Sequence, residues 1–335
     1  MKKIIGAIMI TGIISCKSSN NLNKTPMQLT LEISKILSHL EKIEVFDGQN
    51  PLDISRKNYE TMALQLSGRK ESVAMIEEFN IPSENHQIAA RLYRPEGKTG
   101  SKSPAVVYLH GGWFISGSYE THDAIVRKLA NATGAAVLFV DYRLAPEYPF
   151  PAGLDDCAAA TKWLIDHAES LGIDLHQIGV IGDSAGAALA VSVTQQLRNQ
   201  LKFQVLIYPA TDPSLSTKSW DTYANGPVLN KEWGRQAWNW YITEKDRENP
   251  LAVPVLIKDF KEVPPTLILL AEHDPLHDEG EQLALNMKNA GVSVQTKTYK
   301  NMVHGFMHMG GVLQETQSAV DEITLFTNNN FKAIQ

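Results

Sequence analysis

The sequence predicts an α/β protein built on a mainly parallel central sheet flanked by helices. Two observations predict it. From Ala105 onward, short apolar β-branched runs alternate with helical stretches, the order that yields parallel strands joined by crossover helices. The second is the run Ile178–Ile181, which leads into Gly182-Asp183-Ser184-Ala185-Gly186 and then at once into a helical stretch, Ala187–Arg198. A sharp turn thus falls at the carboxyl end of a buried strand, where ligands bind in such sheets.

The elements follow in order along the 335 residues. Lys2 and Lys3 precede an apolar run, Ile4–Ile14, that is too short to span a bilayer and ends Ile13-Ile14-Ser15-Cys16. This resembles a bacterial lipobox, so residues 1–16 are expected to be a lipoprotein-type signal with Cys16 lipidated, and 17–24 a polar tether. A plain secretory signal, or an apolar start with no targeting role, are the alternatives. The rest, 25–335, reads as one domain. Leu29, Ile33, Ile36, Leu37 and Leu40 recur at helical spacing, as do Tyr59, Met62, Ala63 and Leu66 after Pro51.

Strands are expected at Met75–Ile81 and Gln87–Tyr93, as an antiparallel pair, then at Ala105–Leu109, Ala136–Val140, Ile178–Ile181, Phe203–Tyr208, Thr266–Leu270 and Ser293–Tyr299. Helices are expected near 121–133, 155–170, 185–199, 278–290 and 314–327. Asp212–Pro264 breaks the alternation and is rich in aromatic residues: Trp220, Tyr223, Trp233, Trp238, Trp240 and Tyr241. We read it as an insertion that joins the N-terminal helices in a cap, the two cap elements being about 25–75 and 212–264. Its rings line a pocket or form the cap's own core.

A net charge of −6 without a basic cluster argues against a nucleic-acid partner, and none is expected. Of the two cysteines, Cys157 lies in an alanine-rich helical stretch and reads as a small buried hydrophobe, leaving no internal disulfide once Cys16 is lipidated.

The chemistry centres on Ser184. G-x-S-x-G between strand and helix is the nucleophile elbow of an α/β-hydrolase. Glycines flank the serine because a Cβ there would strike neighbouring backbone, and the following helix N-terminus aims free N–H groups at developing negative charge. A serine hydroxyl needs a base and an orienting acid, in the chain order Ser, acid, His. The histidines after Ser184 are His273, His277, His304 and His308; His304 sits just past the last strand, in Asn301-Met-Val-His-Gly-Phe306. Asp274 follows the preceding strand and supplies the acid, with Asp278 expected to cap the next helix. His273 and His277 have zinc-ligand spacing, but Pro275 between them spoils a shared helix and no H-E-x-x-H or cysteine pair occurs, so no metal is expected. The oxyanion would be held by backbone N–H groups of Ala185 and of the glycine-rich loop His110-Gly111-Gly112-Trp113-Phe114.

Four segments together carry a family resemblance: His110–Phe114; Asp141-Tyr-Arg-Leu-Ala-Pro-Glu-Tyr-Pro-Phe-Pro-Ala152; Gly182–Gly186; and Asp274–Asp278 with His304-Gly-Phe306. The chain resembles the hormone-sensitive-lipase-like esterases, family IV of the bacterial lipolytic enzymes, over roughly residues 50–330. The resemblance implies an α/β-hydrolase fold with a helical cap. It implies a triad of Ser184, Asp274 and His304, an oxyanion hole around Gly111, Gly112, Trp113 and Ala185, and structural roles for Asp141 and Arg143. Trp113, Phe114 and Asp183 are expected to face the substrate, a small-molecule ester cleaved through an acyl-enzyme with no cofactor. Trp113 departs from the family's usual pattern, which has a third glycine, or alanine, there. A His-Gly-Gly-aromatic start also resembles kynurenine-formamidase-like relatives, so an arylformamidase, or a deacetylase of acetylated sugars, would use the same triad. A non-catalytic binding protein of this fold is the other class; plant gibberellin receptors resemble the family but lack the triad histidine, which this chain has at His304.

Overall fold

In the sheet, side chains two apart along each strand serve the same face. Ala105, Val107 and Leu109, with Ala136, Leu138 and Val140, enter one hydrophobic cluster, while Val106, Tyr108, Val137 and Phe139 enter the other. Both faces therefore need helices, and both have them. The computed structural model describes Ser34, Ser38 and residues 50–97, 102–226 and 228–331. The expected signal, tether and lipidated Cys16, and the stripe from Leu29 to Leu40, lie outside the described residues.

A helix, α1 (Pro51–Leu66), is followed by β1 (Met75–Pro82), β2 (Gln87–Arg94) and β3 (Ser103–Leu109), then α2 (Tyr119–Thr133) and β4 (Ala136–Asp141). Next come α3 (Ala152–His167), β5 (Ile173–Asp183), α4 (Ala185–Gln196) and β6 (Gln204–Ile207). The insertion carries α5 (Lys218–Thr222) and α6 (Lys231–Tyr241), and the chain returns through β7 (Thr266–His273), α7 (His277–Asn289), β8 (Val294–Val303) and α8 (Glu315–Phe331). Among the described residues, eight strands form one sheet in the order β1-β2-β4-β3-β5-β6-β7-β8. β2 runs antiparallel to both its neighbours, and every pair from β4 to β8 is parallel.

Helices α3, α4 and α7 bury Leu154, Cys157, Leu164, Leu189, Leu283 and Met287 in one cluster. Helices α1, α2 and α8 bury Leu66, Ile125, Leu129, Val320, Ile323 and Phe326 in the other. Cys157 is fully buried and free, and burial pushes its thiol well above the ordinary range, as suits a hydrophobe. Among the described residues, no helix is long and apolar enough to cross a membrane.

The cap elements attach at the carboxyl ends of the strands. From α1, Arg56 donates to the carbonyls of Ile115 and Ala145 and pairs with Glu147 at 2.7 Å through both guanidinium NH groups. In α6, Tyr241 stacks on Phe114 with ring centroids 3.7 Å apart, and Trp238 packs beside them. Trp220, Trp238 and Tyr241 are buried, while Trp233 and Trp240 pack edge to face on each other. These rings are the insertion's own core and its seal against the loop after β3. Two adjacent carboxylates of α7 hold its start. Asp278 accepts the N–H of Ser219 at 2.8 Å; Glu279 accepts the indole N–H of Trp220 at 2.9 Å and the N–H of Asp212 at 2.8 Å. Asp278 was expected to cap its own helix; its side chain instead serves the N-terminus of α5, because that cap segment lies within reach.

Candidate active site

β5 ends at Asp183 and α4 begins at Ala185, leaving Ser184 alone at the turn with φ 54°. That left-handed backbone costs on the order of 1–3 kcal/mol for a residue other than glycine. The flanking glycines make it feasible: a Cβ at Gly182 would lie 2.2 Å from the Gly186 carbonyl oxygen, and one at Gly186 would lie 2.0 Å from that of Leu109. The Ser184 N–H donates to the Ile207 carbonyl of β6, pinning the turn to the sheet.

The residues expected from the sequence come together. His304, just past β8, sits with Nε2 3.0 Å from Ser184 Oγ. Its Nδ1 lies 2.7 Å from Asp274 Oδ2, beyond β7. A carboxylate only accepts, so Nδ1 carries the proton and the Nε2 lone pair faces the serine hydroxyl. Asp274 is fully buried, and its Oδ1 accepts the Leu276 N–H. The competing carboxylate, Glu272, is engaged instead by the Asn301 N–H at 2.7 Å. Ser184 and His304 are 4% and 6% exposed, so the pair is enclosed.

Above Ser184, the N–H groups of Gly112, Trp113 and Ala185 find no acceptor among the described residues. Ala185 opens the 12-residue helix α4, so its N–H also lies at the positive end of the helix dipole. Gly111 differs from expectation: its N–H donates to Asp183 Oδ1 at 3.0 Å, so it braces the loop and has no hydrogen left for an oxyanion. Trp113 and Phe114 both adopt left-handed backbone, φ 59° and 63°. The Trp113 indole packs on Trp220, and a Cβ at Gly234 would press on both rings, 3.0 Å from Trp220 and 3.1 Å from Trp113. Phe114 corrects a second expectation, since its ring is taken up between Tyr241 and Trp238 and seals cap to loop.

Asp183 is the third correction. It is 1% exposed, and both its carboxylate oxygens are taken up by groups of the protein. Its carboxylate accepts Tyr108 OH at 2.8 Å and Gly111 N–H on Oδ1, and His308 Nε2–H at 3.0 Å on Oδ2; His122 Nε2 stands 3.2 Å from Oδ1. Burial alone would push its pKa up, but His122 and His308 pull harder and hold it well below the ordinary carboxylate range. Asp141 and Arg143 were expected to be structural. Arg143 grips Asp156 at two points, both 2.8 Å, and ties the Asp141–Ala152 loop to α3. Burial pushes the Asp141 carboxyl up to about 6.

The zinc-like spacing of His273 and His277 does not bring them to a shared centre. His273 Nδ1 meets the Tyr223 hydroxyl at 3.1 Å, and His277 turns to Asp278 and Glu281. Among the described residues, ligand-type groups converge at His277, Asp278 and Glu281, partly exposed, and at His122, Asp183 and His308, buried. Sequence reasoning missed Tyr208, whose ring lies 4.5 Å from the His304 ring, and missed the roles of His122 and His308. Only the place of His308 among the late histidines hinted at its use.

A strand-end serine, a histidine at hydrogen-bond distance, a buried orienting carboxylate and free peptide N–H groups define a serine hydrolase of the α/β type. Comparison with known proteins agrees. The family model described as alpha/beta hydrolase fold matches residues 106–308. An ethyl acetate hydrolase of Pseudomonas putida is 35% identical, over 80% of this chain and 87% of its own. An arylesterase of Saccharolobus solfataricus is 33% identical over 79% and 90%. The solved structure of a hyperthermophilic esterase from Pyrobaculum calidifontis superposes with a TM-score of 0.84 at 37% identity, covering 90% of this chain and 99% of that one. The chain belongs to this α/β-hydrolase family, in its hormone-sensitive-lipase-like branch.

Proposed function

We propose that this chain, a serine carboxylic ester hydrolase by family, cleaves short-acyl esters through an acyl-enzyme on Ser184. The observation that carries the reading is the unbroken relay from Ser184 Oγ through His304 to Asp274, at 3.0 and 2.7 Å. As Oγ attacks the ester carbonyl, His304 Nε2 takes its proton. Asp274 fixes the tautomer and stabilises the imidazolium. The carbonyl oxygen, now negative, is held by the N–H groups of Gly112, Trp113 and Ala185, which cost no reorganisation because they are already aimed. His304 passes its proton to the leaving alcohol, the alcohol departs, and water repeats the sequence on the acyl group. No step calls on a metal or an organic cofactor.

A small acyl group is supported by the enclosure of Ser184, which is 4% exposed. It is also supported by the Pseudomonas putida relative, whose name is ethyl acetate hydrolase. Side-by-side turnover of nitrophenyl acetate, nitrophenyl octanoate, N-formylkynurenine and an acetylated xylo-oligosaccharide tests it. Acetate leading by at least tenfold is expected. A lead by the formamide or the sugar ester would reassign the leaving group. We further propose that residues 1–16 export the chain, with a lipid on Cys16 as its membrane anchor, supported by Lys2, Lys3, the apolar run and Ser15-Cys16. Radiolabelled palmitate should enter the wild-type chain and not Cys16→Ser; equal labelling would refute the anchor.

A further inference from the structure

His308 closes the turn that opens with the catalytic histidine. After His304, Gly305 takes φ 78°, and the His308 N–H folds back onto the Gly305 carbonyl at 2.9 Å. Thr316 Oγ1 donates to the Phe306 carbonyl at 2.7 Å, so this short turn is tied from both sides. His308 is 4% exposed, and its side chain reaches under the elbow to Asp183, the residue immediately before the nucleophile.

We propose that His308 is a positioning residue: by donating Nε2–H to Asp183 Oδ2, it locks the turn bearing the base to the carboxylate that anchors the oxyanion loop. The inference rests on the triad reading above. Asp183 is covalently joined to Ser184, receives the Gly111 N–H from the loop after β3, and receives His308 from the turn after β8. One carboxylate therefore sets the mutual spacing of nucleophile, oxyanion donors and base. Asp274 orients the imidazole of His304, whereas His308 holds the backbone that carries it. His122 braces the same carboxylate from α2, a helix that bears none of the reacting groups, so it cannot replace this link.

The link also acts on charge. A buried carboxylate beside the oxyanion loop opposes the negative charge that develops on the substrate. Hydrogen-bond donors on both its oxygens disperse that charge, and His308 is the donor on Oδ2. Loss of this donor should therefore raise the transition state more than the ground state. His122, Asp183 and His308 are also of metal-ligand type and lie close together. The carboxylate, however, already accepts Tyr108 OH and Gly111 N–H on Oδ1, which favours proton bridges over a metal bridge.

The test uses the full chain with His308→Phe, His308→Asn and His308→Gln, beside Ser184→Ala, read as kcat and KM on nitrophenyl acetate and as far-UV circular dichroism. Phenylalanine keeps the volume without a donor, asparagine has a donor that falls short of Asp183, and glutamine places an N–H near Nε2. The expected result is a kcat lower by roughly 10²-fold in Phe and Asn, the loss that follows a misplacement of about 1 Å, with KM nearly unchanged. Glutamine should recover most of that loss. Phe as active as wild type, or Gln no better than Phe, would overturn the proposal. If the Phe chain does not fold, the Gln–Asn pair decides alone, and equal activity of the two overturns it. About one zinc per chain, with activity lost to a chelator, would also overturn it in favour of a metal bridge. If Ser184→Ala keeps full activity, the triad reading itself fails. A dead Ser184→Ala beside a flat His308 series defeats only this inference.

Discussion

Beneath Ser184, a single charged carboxylate, Asp183, gathers a tyrosine hydroxyl, a peptide N–H and two imidazoles from four different segments of the chain. Above it, the cap is held by stacked rings and by a different carboxylate, Glu279, which burial pushes up to about 8 against the pull of its donors. The floor is fixed by directional bonds to a group that stays ionised. The roof is fixed by contact area, which is not directional, and by a group that titrates near neutrality. The chemistry needs sub-ångström placement of base and donors, whereas a roof must exclude water and fit a substrate. Each region has the kind of interaction its task calls for.

Substitutions should separate the two regions, floor changes acting on kcat and roof changes on stability and KM. The largest effect is expected from Asp274→Asn, which leaves the geometry but disturbs the tautomer of His304: kcat should fall by roughly 10³–10⁴-fold. Steady-state kinetics with a thermal melt checks this, and a fall below tenfold would break the assignment. Trp220→Ala removes a fully buried ring that packs on Trp113 and donates to Glu279. Denaturant unfolding should show a loss of about 3–5 kcal/mol, with KM rising more than kcat falls.

Glu279 sharpens the comparison through pH. Its folded pKa of about 8 stands above the ordinary carboxylate value of ~4.3 expected unfolded. Between those values the folded chain binds one proton more, so its contribution to stability is complete below about pH 4, declines as pH rises, and levels off above about pH 8. Glu279→Gln should therefore lose unfolding free energy less steeply than wild type from about pH 5 to pH 8; equal slopes would contradict the protonated anchor. The smallest effect is expected at Arg56, whose pairing with Glu147 is partly exposed. Solvent screening leaves Arg56→Ala a loss of about 1 kcal/mol, much of it from the carbonyls of Ile115 and Ala145. A shift in melting temperature with unchanged kcat is the expected reading.

The middle of the sheet was legible because its inner strands are buried on both faces and so form continuous apolar runs, whereas the edge strands β1 and β8 are partly exposed. Where that condition lapses, the boundary was missed: β5 begins at Ile173, but Leu175 and His176 are exposed, so only its buried half, from Ile178, stood out. The triad was legible because elbow, acid and base each sit beside a local backbone signature, at a strand end. The Asp183 assembly was not. Its partners Gly111, Tyr108 and His308 lie 72, 75 and 125 residues away, and side chains that converge only in the folded chain leave no spacing to read. Phe114 was misplaced for a related reason, since an aromatic beside the oxyanion loop looks the same in sequence whether it meets a ligand or another ring.

The central claim is that His304 makes Ser184 the nucleophile, and covalent trapping tests it most directly. The wild-type chain and His304→Ala would be treated with a nitrophenyl phosphonate, digested and weighed peptide by peptide. The account predicts one adduct, on the Ser184 peptide, appearing in step with loss of esterase activity and slowed by at least about 10³-fold in His304→Ala. An adduct on another residue as activity is lost, or equal labelling of the two chains, would contradict it.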